Sequence, residues 1–131
     1  MATLSKEDFR HKVILVPVNK CWDKPGLSHY DAARYSWVVS LPKAQGVEYV
    51  LAIKAGEIKG VFEPDEWMEA KKKNFPDIPD DHGNWEQQEW KPGRWRSGFR
   101  GREASQGIQE LYIGKHVSNG LRGQGIRYAG I

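Results

Sequence analysis

Two apolar runs separated by a short polar break constrain this chain more than any other feature. Tyr49-Val50-Leu51-Ala52-Ile53 and Ile58-Lys59-Gly60-Val61-Phe62 flank Lys54-Ala55-Gly56-Glu57. Both runs are strand-sized and rich in β-branched or aromatic residues, and Gly56 can supply the positive φ that a tight hairpin turn requires. A third run, Val13-Ile14-Leu15-Val16-Pro17-Val18, reads as a buried strand. Pro17 has no amide donor, which predicts that its end of the strand lies at an edge or bulge.

The remaining elements are read from caps and breakers. Ser5-Lys6-Glu7-Asp8 predicts a single capped helical turn, with Ser5 as N-cap and Asp8 in the capping-box place. Asn19 to Gly26 reads as a loop, and Ser28 caps a helix to about Ser36. Trp37-Val38-Val39-Ser40-Leu41 predicts a short strand or extended exit before Pro42, because the residue before proline avoids helical angles. Pro64 is expected to end the second hairpin strand and Asp65 to cap a helix from Glu66 to about Lys73. Residues 74–93 carry Pro76, Pro79 and Pro92 around a polar middle, a long acidic loop or insertion of the kind that is often functional. Nine of the fourteen glycines fall between Gly93 and Gly130, so short strands are expected near Arg94–Phe99, Leu111–Ile113 and Gly125–Ala129. At 131 residues the chain suits a single domain. The architecture expected is α+β: a small, curved, mainly antiparallel sheet with two to three helices.

Composition removes several classes. Hydrophobic residues make up 39% and charged residues 28%, and no apolar run approaches the roughly 18–20 residues of a membrane span. The N-terminal Met1 to Asp8 lacks the apolar core of a signal peptide, which predicts a cytoplasmic protein with no membrane partner. The single cysteine, Cys21, excludes an intramolecular disulfide and a paired-thiolate zinc site. Its neighbour Lys20 would favour a thiolate, but with no positioned base nearby Cys21 reads as a small buried residue.

Enzyme signatures are absent: there is no G-x-S-x-G elbow and no H-E-x-x-H helix. Gly114-Lys115-His116 lacks the serine or threonine of a phosphate-binding loop, and Tyr112-Ile113-Gly114 is half of a nuclease signature without its other half. Thr3, the only threonine, stands in a terminal segment and makes a poor nucleophile. Asp80-Asp81-His82 offers hard oxygens and an imidazole, yet acidic loops of this kind rarely hold a metal. The reading leans away from an enzyme, with no catalytic residue, metal or cofactor assigned.

Charge and aromatics carry more. Residues 63–90 hold nine acids against three lysines, whereas residues 94–131 hold seven basic residues against two acids. Such asymmetry predicts a basic surface for an anionic partner and an acidic segment elsewhere. The six tryptophans are too many for one small core, and several stand beside cations or amides. Asn19, Lys20 and Trp22, then Arg34, Tyr35 and Trp37, then Arg94 and Arg96 around Trp95, form such groups, with Arg127 added from the tail. Flat rings stack on bases while guanidinium groups meet phosphates, the mode in which single-stranded or flipped nucleotides are held. On a strand, Arg94, Arg96 and Arg100 would share one face, with Trp95 and Phe99 opposite or displaced by a bulge at Gly98.

A set of segments also carries a family resemblance: Ile14 to Lys20, Ala33 to Val39, Tyr49 to Ile53 with Gly60-Val61-Phe62, Tyr112 to Val117, and Ile126-Arg127-Tyr128. Together they resemble small bacterial and phage proteins of the PUA-like group, which includes the ASCH and EVE domains. The resemblance implies a partly open β-barrel with helices closing its ends. It also implies recognition of RNA, or of a modified base in DNA, in a pocket beside the barrel. Some ASCH-like relatives are hydrolases that use a lysine, a threonine and a glutamate, and this chain has no internal threonine to match.

Three functions are therefore in view. The first is a non-catalytic module recognising RNA or DNA, including a modified base, through Asn19, Lys20, Trp22, Arg34, Tyr35, Trp37, Arg94, Arg96 and Arg127. The second is a protein-interaction factor, such as a phage inhibitor of a host enzyme, with tryptophans as anchors. The third is an ASCH-like hydrolase of modified nucleosides, with Glu48, Glu57 or His29 as candidate base.

Overall fold

The computed structural model describes residues 3–18, 22–23, 28–34, 37–38, 41–69, 96–118, 121 and 126–130. Its centre is the expected hairpin: β4 (Tyr49–Lys54) and β5 (Glu57–Glu69), joined by Ala55 at φ 52° and Gly56 at φ 79°. Positive φ at both central residues is what a two-residue hairpin turn needs to match the twist of its strands. Before the hairpin come β1 (Thr3–Leu4), β2 (Val13–Pro17), α1 (His29–Arg34), β3 (Trp37–Val38) and α2 (Leu41–Ala44). After it come β6 (Arg96–Glu103), α3 (Gln106–Tyr112), β7 (His116–Val117) and β8 (Arg127–Ala129).

These strands form one mixed, open sheet in the order β1-β7-β5-β4-β2-β8, with β6 paired to the far part of β5 and β3 paired to β6. Most pairings are antiparallel, but β1 runs parallel to β7, Thr3 against His116, and β2 runs parallel to β4, Val13 against Tyr49 through Pro17 against Ile53. Parallel neighbours require a crossover, and for β2 and β4 it is supplied by α1, β3 and α2. β8 pairs with Val13 to Leu15, so Pro17 lies past the end of that neighbour, where its missing amide costs no ladder bond.

The sheet is buried on both faces, which is why β2 and β4 read as continuous apolar runs rather than alternating ones. On one face Ile14, Val16, Val50, Ala52, Phe62, Trp67 and Phe99 pack with Ala32 and Ala33 of α1, Ala44 of α2 and Trp22. On the other, Val13, Leu15, Leu51, Ile53 and Val61 pack with Phe9, Tyr112 of α3, Leu121 and Ala129. The turn at Lys6–Asp8 is closed by the predicted box: the Ser5 amide and hydroxyl both donate to Asp8 Oδ2, at 2.8 and 2.9 Å. Those bonds favour the ionised form and hold the Asp8 carboxyl below its ordinary value, the backbone bond contributing most.

Three expectations are corrected. β5 does not stop at Pro64 and no helix begins at Glu66: the strand runs on to Glu69, with a register shift between Pro64 and Glu66. A bulge tolerates proline, and the burial of Trp67 against Phe99 outweighs the local helix signal. Leu111–Ile113 is not a strand but the end of α3 and its turn. Gln109 N–H bonds the Ser105 carbonyl, Ile113 N–H bonds the Gln109 carbonyl at 2.8 Å, and Gly114 comes next at φ 91°. The expected short strand is present at Trp37–Val38, but Leu41 is helical rather than extended, and Pro42 sits in the first turn of α2, where an amide has no intrahelical partner to lose. The 74–93 loop lies outside the described residues.

Candidate nucleic-acid interface

The segments singled out around Arg34 and Arg96 come together through backbone pairing. α1 lies against β6, where the Tyr30 hydroxyl accepts the Gly101 amide at 2.8 Å. The chain then leaves α1 at Arg34 and reaches β3, where Trp37 pairs with Ser97 and Val38 with Arg96. Arg34, Trp37 and Arg96 are thus neighbours in the fold at the level of backbone position. Tyr35 and Arg94 lie outside the described residues.

Along β6 the two faces differ in chemistry. Ser97 and Phe99 are buried, at 1% and 0% exposure, whereas Arg100 and Arg102 point to solvent. Ser97, Gly98 and Phe99 are thus buried in succession, and the exposed cations of β6, Arg100 and Arg102, stand two residues apart on one face. No bulge displaces Phe99 at Gly98; the register irregularity is on β5 instead.

The same pairing corrects the separation of charge expected from the sequence. Glu63 lies opposite Arg102 and Glu66 opposite Arg100. The Arg102 guanidinium reaches both Asp65 Oδ2 at 2.6 Å and Glu63 Oε2 at 3.5 Å. The start of the acidic segment is folded beside the basic one, and the bulge at Pro64 and Asp65 brings two carboxylates to one arginine. These groups are about half exposed, so each pair contributes at most about 1 kcal/mol, but they lower the net charge that β6 presents.

Trp22 is placed differently from the open stacking platform expected of it. It is 8% exposed and belongs to the core beside Val16, Val18 and Ala52. Its ring carries the imidazole of His29 on one face, centroids 3.8 Å apart, and its far edge approaches Gly60. Next to it Asp23 is bonded by Lys54, which holds the Asp23 carboxyl below its ordinary value, with weaker help from His29 and Lys59. Asn19 and Lys20 lie outside the described residues.

Arg127 stands on β8, at the opposite edge of the sheet from β3. With β2, β4, β5 and β6 between them, the two edges are roughly 24 Å apart along the sheet at ~4.8 Å per strand. Its guanidinium donates to the adjacent Ile126 carbonyl at 3.0 Å. Beside it, Lys43 Nζ sits 4.2 Å from the centre of the Tyr128 ring, a cation on an aromatic face. Sequence reasoning missed Lys43 and Tyr128, because nothing local links α2 to a strand so far along the chain. It also missed Tyr30, whose role depends on the bulge across from Gly101. Among the described residues no group of three His, Cys, Asp or Glu side chains comes together in a way that would hold a metal, and no helix is long and apolar enough to cross a membrane. Compared with known proteins, the chain matches no family model, no curated protein and no solved structure.

Proposed function

We propose that this chain is a nucleic-acid-binding module that meets RNA or DNA along the β3–β6 strand pair. The observation that carries the reading is the register of that pair, which sets Trp37 beside Ser97 and Val38 beside Arg96, with the exposed Arg100 further along β6. Cations on the outer face of β6 suit phosphates, and the adjoining aromatic segment suits a base. A PUA-like, partly open barrel is the finer fold we propose. The length of β5, shared by β4 and β6 and bent at its bulge, supports it, since bulges are how a sheet curls.

Titration of short single-stranded and duplex oligonucleotides at about 50 and about 200 mM salt tests the reading. Binding should weaken steeply with salt, and Arg100→Ala should reduce the salt slope by about one. Absence of binding at low salt removes it. A protein partner is the second reading, favoured by Leu111 and Ile113, which stand 37% and 40% exposed at the end of α3. Capture of a defined protein that survives nuclease treatment and is lost in Leu111→Asp would favour it.

A further inference from the structure

A cavity of about 620 Å³, open to solvent, lies against α3 and is lined by Gln106, Gln109, Glu110 and Ile113. These positions are i, i+3, i+4 and i+7, one face of the helix, while Ile108 and Tyr112 turn the opposite side toward the core. The polar groups of the outer face are already sorted by their internal bonds. Gln106 Nε2 donates to Glu110 Oε1 at 3.2 Å, and Gln109 Nε2 donates to the Ala104 carbonyl at 2.7 Å. A carboxylate and a carbonyl only accept, so each amide commits its nitrogen to that bond and keeps its oxygen for another partner. Among the described residues Glu110 meets no cation, and α3 carries no basic residue of its own. Ile113 adds an aliphatic edge that is 40% exposed. The face therefore presents acceptors and negative charge beside apolar surface.

We propose that this face of α3 docks an arginine side chain presented by a partner protein. The guanidinium is the complement of what the face offers: a planar fork of N–H donors, a permanent positive charge and no acceptor. The Glu110 carboxylate takes two of those donors in parallel, and the oxygens of Gln106 and Gln109 take others. The methylene stem of the arginine lies along Ile113, because such stems prefer apolar surface while the charged head stays at the polar groups. A phosphate is repelled by the same set of groups, so the site is not an extension of a nucleic-acid surface. Size argues for a partner segment rather than a second copy of the chain. A helix of seven residues is about 10 Å long, far short of the roughly 1,000 Å² that a stable dimer buries, but it suffices for one anchoring side chain. The proposal is independent of the nucleic-acid reading and gives the protein-partner reading its chemistry.

The probes are acetyl-arginyl-leucine amide and its citrulline and lysine counterparts, titrated into the full chain and followed in the nitrogen–proton spectrum. At millimolar concentration the arginine dipeptide should move the side-chain amides of Gln106 and Gln109 and the backbone amides of Glu110 and Ile113. Citrulline keeps the shape of arginine and removes its charge, and it should bind about three- to tenfold more weakly. Lysine, a point charge without the fork, should also bind more weakly than arginine. Glu110→Gln should weaken the arginine dipeptide by a factor similar to that of citrulline; Glu110 is exposed, and an unchanged spectrum away from α3 will show that the variant folds. No movement of these resonances at millimolar arginine dipeptide, equal movement with citrulline, or undiminished binding by Glu110→Gln each overturns the site. Self-association of the chain alone that Glu110→Gln abolishes would put the arginine on a second copy and overturn the partner assignment. Oligonucleotide binding, measured on the same samples, decides the nucleic-acid reading separately.

Discussion

His29 lies flat on Trp22, with ring centres 3.8 Å apart and planes inclined by 9°. Trp22 in turn wedges against Gly60, where an added Cβ would meet its ring at 2.8 Å. Trp22 therefore holds the start of the crossover onto the sheet. Trp22→Ala is expected to cost about 3–5 kcal/mol in urea unfolding. His29→Ala should cost only about 0.5–1.5 kcal/mol, the scale of an aromatic pair. A Trp22→Ala protein of unchanged stability would mean that the ring is not a core element.

Gly101 approaches the Glu63 carbonyl so closely that a Cβ would fall 2.0 Å from the oxygen. Both atoms belong to paired strands and neither can step aside. Gly101→Ala should therefore reach or exceed the upper end of the roughly 1–3 kcal/mol typical of overpacking. Gly107 in α3 has open space around its Cα, and Gly107→Ala should stabilise by about 0.5–1 kcal/mol. Thermal melts of the two variants should move in opposite directions.

The Asp8 carboxyl is held below its ordinary value of 3.8 by the Ser5 amide and hydroxyl. A carboxylate with a depressed folded pKa stabilises the fold above its unfolded value and loses that contribution as pH falls through the folded value. Asp8→Asn should therefore melt below wild type at pH 6, and the gap should close as pH drops below about 3.8. A gap that stays constant down to about pH 2 would show that the ionised box contributes nothing.

Arg102 is shared between Asp65 and Glu63. If β6 meets phosphates, Asp65→Asn frees part of that cation. Oligonucleotides should bind more tightly at low salt, with the salt slope steeper by up to about one. Stability should change by less than about 1 kcal/mol, as expected for an exposed pair. Unchanged affinity would remove Arg102 from the interface.

The hairpin, the capped turn at Ser5 and the buried character of Val13 to Val16 were legible because their signals are local: a glycine at a turn, an oxygen three residues from its amide, an unbroken apolar run. The course of the chain beyond Pro64 was not. Proline next to aspartate is a local helix-start signal, and the decisive fact, that Trp67 pairs with Phe99, lies on another strand. The end of α3 was misread because Leu111 and Ile113 suit a strand by type, although Gly114 marked a helix stop. Among the candidate site residues, Trp37 and Arg96 stood out for local composition, and only the β3–β6 register makes them neighbours. Trp22 was misjudged for the opposite reason: cations flank it in the chain, but its partners in space are apolar.

The burial of β2 on both faces between β4 and β8 also governs how the chain acquires its structure. Val13 needs Tyr49 on one side and Ala129 on the other, and both arrive only through long chain excursions. The β4–β5 hairpin closes locally on the order of microseconds, whereas the parallel pairing of β2 has to wait for its crossover, placing folding in the millisecond-to-second range. During that interval Val13-Ile14-Leu15-Val16 is an uncharged apolar strand with both edges open, the kind of segment that pairs with another molecule instead. Refolding yield should therefore fall with protein concentration, and the kinetic hazard sits in the same residues that later become the best-protected part of the sheet.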